Sequence, residues 1–236
     1  RLPTGFISRF GCYSDLSSIF YMVENIRNWP SVQRNIRFVS FLILLSMTAC
    51  TPLILSTMGM KNPRVITEDE MYTFGRKWGM SIYFQQTLLS TYIDEVQKLD
   101  SLHPALAKNL LQPIQAMYFD STGKLISYHI NCFAGGYPNL NWNRNGNFDV
   151  FPAKTQAPCD SLVTLAWLLP HLKPLEYPCI KIKDLDYTVV VFWSRFTGRQ
   201  SRHLVEFVQQ NLKLASKETR IQIMYVNTDE IFTKLL

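Results

Sequence analysis

The sequence predicts an α/β domain, and three stretches carry that prediction. Tyr187 to Trp193 is a run of β-branched and aromatic residues without a charge, the pattern of a strand buried on both faces. It turns through Thr197 and Gly198 into a segment that places Leu204, Val205, Val208 and Leu212 on one side, an amphipathic helix. Ile221 to Val226 is a second buried strand, so residues 187–227 read as a β-α-β unit. Upstream, Pro113 precedes the apolar run Ile114 to Phe119. Asp120-Ser121-Thr122-Gly123 supplies a turn, and Lys124 to Asn131 returns as the second strand of a hairpin.

The remaining elements are read in chain order. Thr67-Glu68-Asp69-Glu70 has Thr at the N-cap and Glu three residues on, a capping box that opens a helix through about Trp78. Gly79 closes it as a C-cap. Met80 to Phe84 is expected as a short strand. Leu88, Leu89, Tyr92, Ile93, Val96 and Leu99 form one stripe, which predicts a helix over Leu88 to Leu99. His103-Pro104 opens another through Leu111. Asp160 is expected to cap a helix over Leu162 to Leu169, ended near Pro170, and a connector with Pro174 and Pro178 leads to the central strand. Residues 132–159 have little periodicity but many Asn and aromatic residues. So long a loop with that many aromatics argues for function and against disorder.

A chain of 236 residues, 47% apolar and 18% charged, suits one globular domain with an extension. The expected division is an upstream extension and signal over 1–49, a tether over 50–66 and one domain over 67–236. Of the +6 formal charge, half falls in residues 1–49, where five Arg face only Asp15 and Glu24. No basic run is interleaved with aromatics, so no nucleic-acid partner is expected. The five cysteines (Cys12, Cys50, Cys132, Cys159 and Cys179) show no CxxC spacing and no His at ligand spacing, which argues against zinc. No motif for any other metal or cofactor is present.

The extension has its own logic. Arg34 and Arg37 precede an apolar run, Phe38 to Met47, closed by small residues, which is the layout of a secretory signal. The run is shorter than the roughly 18–20 residues that a membrane-spanning helix requires. Met47-Thr48-Ala49-Cys50 resembles a bacterial lipobox, with Met where Leu is usual. That resemblance implies acylation of Cys50, palmitate among the chains, and a lipid anchor worth about 0.8 kcal/mol per buried CH₂. Met22, 28 residues before Cys50, is the expected start. No acidic residue follows in Thr51 to Lys61, which favours a periplasm-facing site in the envelope.

Val189-Val190-Val191-Phe192-Trp193, then a turn and a helix, resembles the core of a thioredoxin-like domain. The resemblance puts Thr197-Gly198-Arg199-Gln200 where two redox cysteines and their spacer would stand. Without either sulfur no thiolate can attack a disulfide, so the fold carries over and the activity does not. The hairpin of that family follows the β-α-β unit. Here 113–131 precedes it, so the resemblance implies either a permuted arrangement, which is favoured, or a C-terminal end that is missing from this sequence. Leu111 to Gln115, Asn131 to Asn145, Gly198 to Ser201 and Tyr225 to Asp229 together resemble small uncharacterised lipoproteins of the Bacteroidetes. That likeness implies an address and no biochemical activity.

Candidate sites follow from these stretches. Arg195, Thr197, Gly198, Arg199, Gln200 and Ser201 lie at a helix N-terminus, where free N–H groups favour an anion. The alternative is N-capping by Thr197 or Ser201, with Gly198 serving the turn. Asn141, Trp142, Asn143 and Arg144 could meet a glycan, a peptide or an envelope protein, or the asparagines could bond their own backbone. Cys132 and Cys159 bracket the loop. A disulfide between them would contribute roughly 3–4 kcal/mol, with Cys179 as a rival partner and unbonded thiols as the alternative. Ser201 and His203 do not face one another on a helix, so no catalytic pair is expected. His129 has no visible acidic partner, and Asp229 and Glu230 are expected to end a strand. The expectation is a non-enzymatic binding or assembly module. The competing one is a thiol–disulfide oxidoreductase that uses Cys132, Cys159 or Cys179.

Overall fold

A computed structural model describes residues 59–81, 85–136, 139–174 and 184–235. The signal segment, Cys50 and Cys179 lie outside the described residues. Six strands form one mixed, open sheet flanked by helices on both faces. They are β1 (Gln85–Leu88), β2 (Gln115–Asp120), β3 (Leu125–Ile130), β4 (Leu172–Pro174), β5 (Tyr187–Trp193) and β6 (Ile221–Asn227). Their order across the sheet is β3-β2-β5-β6-β1-β4. β5 runs parallel to β6 and antiparallel to β2, so the uncharged run sits in the middle of the sheet.

The helices are α1 (Glu68–Trp78), α2 (Thr91–Asp100), α3 (Pro104–Leu110), the single turn α4 (Asn131–Ala134), α5 (Leu165–Leu168), α6 (Gly198–Leu212) and α7 (Asp229–Leu235). Side chains alternate across a strand, and β5 divides its residues accordingly. Val190 and Phe192 join a core with Tyr92 and Val96 of α2, Leu110 of α3 and Leu168 of α5. Val189, Val191 and Trp193 join a second core with Trp78 of α1, Leu204, Val205 and Val208 of α6, and Trp142. Each fully buried Val or Phe contributes about 1.5–3 kcal/mol, so β5 stabilises both layers.

Several local predictions hold. Thr67 and Glu70 make both capping-box bonds, and Gly79 ends α1 in the left-handed region at φ 68°. Hairpin β2–β3 turns on the Asp120 carboxylate, which accepts from the N–H groups of Thr122 and Lys124. Other elements moved. The strand expected at Met80 to Phe84 falls largely outside the described residues, whereas β1 begins at Gln85, and Leu88 belongs to it and not to α2. Gln85 and Gln86 are buried, and β1 finds its partner in β6, 140 residues away at Gln85↔Tyr225. Pairing, not local hydrophobicity, makes it a strand. α1 packs so closely on it that a Cβ at Gly75 would collide with Gln85 Nε2.

Asp160 does not cap a helix. Its carboxylate accepts from Leu162 N, while the Thr164 hydroxyl accepts from Trp167 N and caps the much shorter α5. Residues 229–230 begin α7 and do not end a strand. The expected tether is docked over its last residues: Ile66 is buried, and Lys61 N donates to Phe196 O at 2.8 Å.

Candidate functional site

Two places on α6 concentrate the predicted site residues. The first is the β5–α6 junction, Ser194 to Thr197. Asp229 reaches it from α7 with only 2% of its surface exposed. Its carboxylate accepts from Ser194 Oγ (2.7 Å), Arg195 N (2.8 Å), Phe196 N (3.2 Å) and Asn227 Nδ2 (2.8 Å). A buried carboxylate requires that many donors to offset its lost hydration. The anion that the junction suits is therefore already there, and it is the chain's own.

The other polar groups of the junction are also engaged. Ser201 Oγ accepts from Ser194 N at 3.0 Å and donates to Ser194 O at 2.9 Å, and Thr197 Oγ1 lies 3.0 Å from it. Thr197 therefore pairs with a hydroxyl and makes no side-chain cap. Arg195 donates to Asn62 O at 2.9 Å, and Arg199 packs against Gly59 of the docked segment. Gly198 is not required by the turn, because it starts α6 and a Cβ there would meet open space. Thr197 and Ser201 thus bond one another and the turn at Ser194, and Asp229 takes the N–H groups of Arg195 and Phe196 just before α6.

The second place is a groove of about 440 Å³ between the asparagine-rich loop and the outer face of α6. Asn139, Leu140 and Asn141 line one wall, and His203, Glu206, Phe207 and Gln210 the other. Two buried amides tie the walls together. Gln200 Oε1 accepts from Leu140 N at 3.2 Å, and Asn211 Nδ2 donates to Phe148 O (2.8 Å) and Val150 O (2.6 Å). Residues 203–210 lie between those ties, so the groove has fixed walls. Glu206 is ion-paired to Arg202 at 2.7 Å, and the Phe207 ring rests against Phe148 with centroids 5.8 Å apart.

The loop residues divide. Asn141 and Arg144 are exposed, and Asn141 lines the groove. Trp142 is fully buried in the core, so it meets no ligand from the surface. Asn143 is structural, donating to Asp149 and accepting from Phe148 N at 2.8 Å each, which is the backbone-bonding alternative for a loop asparagine. His203, which the sequence does not pair with Ser201, joins the groove.

The missed residues are Glu206, Phe207 and Gln210. With His203 they recur at i, i+3, i+4 and i+7, a second stripe on α6, and Phe207 is its one large apolar member. An aromatic on the polar face of an amphipathic helix was the available signal. Asp229 had none, because a lone Asp after a strand does not announce burial.

The two cysteines among the described residues do not pair. Cys132 and Cys159 are not bonded to one another, and each has its own neighbour. The Cys132 thiol donates to Gln112 Oε1 at 3.2 Å, and Cys159 Sγ lies 3.4 Å from Thr155 Oγ1. Desolvation pushes the Cys159 thiol up, away from the thiolate. Among the described residues no cluster of His, Cys, Asp or Glu could hold a metal ion, and no helix is long and apolar enough to cross a membrane.

No family model, no curated protein and no solved structure matches this chain.

Proposed function

We propose that the chain is a lipid-anchored protein of the bacterial envelope, facing the periplasm, whose thioredoxin-like domain is redox-inactive and works as a binding module through the α6 groove. The observation that carries this reading is the β5–α6 junction. In a thioredoxin-like oxidoreductase that turn presents the attacking sulfur. Here it holds a hydroxyl pair and is filled by the Asp229 carboxylate. The strand order β6-β5-β2-β3, with β2 antiparallel to β5, is the order a permuted thioredoxin-like sheet would have, and supports that part of the reading. The oxidoreductase reading gains no disulfide from Cys132 and Cys159, which are not bonded to one another.

Two measurements test the proposal. The full chain expressed in a Gram-negative host is expected to sediment with membranes and to carry acyl mass on Cys50, while Cys50→Ser moves to the soluble fraction. A Cys50→Ser protein that stays membrane-bound overturns the anchor. In an insulin-reduction assay with a thiol donor the protein is expected to show no turnover, and catalysis would overturn the redox-inactive assignment.

A further inference from the structure

The walls of the α6 groove have a definite chemistry. Three of its seven side chains, Asn139, Asn141 and Gln210, are amides, and all three are exposed. An amide both donates and accepts, as a hydroxyl does, so amides can serve a row of hydroxyls in either sense. The single carboxylate, Glu206, is neutralised by Arg202, so the groove offers no net charge to a charged ligand. Phe207 supplies an apolar surface, and Phe148 behind it fixes the ring. The ties at Gln200 and Asn211 hold these groups in place before any ligand arrives, which reduces the ordering cost of binding. A volume of about 440 Å³ falls within the range of small-molecule sites.

We infer that this groove binds a neutral, hydroxyl-rich ligand of the saccharide class, an assignment that rests on the binding-module reading above. Amides meet the ring hydroxyls, and Phe207 meets the apolar C–H surface of the sugar. A peptide fits less well, because peptide modules use a free sheet edge, an apolar groove or an arginine cluster. The β3 edge is covered: Gln156 N and Ala157 N donate to Tyr128 O, and Thr155 Oγ1 accepts from Tyr128 N. β4 at the opposite edge is three residues long.

The test is calorimetric titration of the full chain, in a detergent without a sugar headgroup, with tetrasaccharides of glucose, mannose, xylose and N-acetylglucosamine. A neutral Gly/Ser/Ala tetrapeptide and the peptide Leu-Lys-Leu-Lys are titrated alongside. At least one tetrasaccharide is expected to bind. Asn141→Ala and Gln210→Ala, whose exposed side chains leave the fold intact, should each weaken it about tenfold. Phe207→Ala should weaken it more, and Phe207→Tyr should restore it. A sugar that binds equally to wild type, Asn141→Ala and Gln210→Ala overturns the site. Binding of a peptide but no sugar, with the same sensitivity to Gln210→Ala, overturns the saccharide class and keeps the groove as a binding site. Binding of no probe overturns the saccharide class, and turnover in the insulin-reduction assay would overturn the module reading with it.

Discussion

The two ends of one helix treat polar groups in opposite ways. At the start of α6, donors and acceptors converge on Asp229 and Ser201 and exclude everything else. Farther along, Asn139, Asn141 and Gln210 stand exposed around a groove whose supporting amides are buried. Helix termini draw attention in a sequence because their unpaired N–H groups suit anions. Here Asp229 supplies the acceptor for the N–H groups just before α6, and accessible polar side chains lie along the helix side. Polar residues at a strand–helix turn therefore say where hydrogen bonds are needed, not who supplies the partner.

The comparison breaks first if Asp229 is dispensable. Asp229→Ala leaves four donors facing a void, two of them backbone N–H groups, and at about 1–3 kcal/mol for each buried group left unmet the loss is expected near 4 kcal/mol. Urea unfolding of Asp229→Ala measures it, and a loss under 1 kcal/mol would show that the junction admits water.

The other buried polar group with a large expected effect is His129. It is fully buried beside Phe148, and desolvation lowers its pKa to about 4, against 6.5 in an unfolded chain. The unfolded state therefore binds more protons between those values, and stability is full above pH 6.5 and falls as pH drops toward 4. From that gap the loss is on the order of 3 kcal/mol across the window. Denaturation at several pH values, with His129→Gln flattening the slope, checks the sign.

The groove's ties come next. Asn211→Ala leaves the carbonyls of Phe148 and Val150 without their donor and should cost about 2 kcal/mol, read from the urea midpoint. Gln200→Ala frees Leu140 N, with an expected loss of about 1 kcal/mol and faster amide exchange over residues 139–141. Smallest of all, Asn141→Ala and Gln210→Ala are expected within about 0.5 kcal/mol of wild type, since both side chains are exposed. A larger change in either would mean that the groove walls are structural and not available to a ligand.

What could be read beforehand follows the range of the forces involved. The capping box at Thr67, the turn at Asp120 and the uncharged run of β5 are local patterns, and each formed where the residues indicate. β1 was not read as a strand because Gln85-Gln86-Thr87 reads as surface until β6 pairs with it. Trp142 reads as a binding residue for its company of asparagines, yet its burial is decided by α6 and β5. Asp229 makes its contacts with Ser194, Arg195 and Phe196, more than thirty residues back, and no spacing rule reaches that far.

The strand order also constrains how the protein can be made. β3-β2-β5 and β1-β4 share no direct pairing and are joined only by β6. During synthesis these two pieces wait for residues 221–227 before they can pair, and β5 presents an unpaired edge until then.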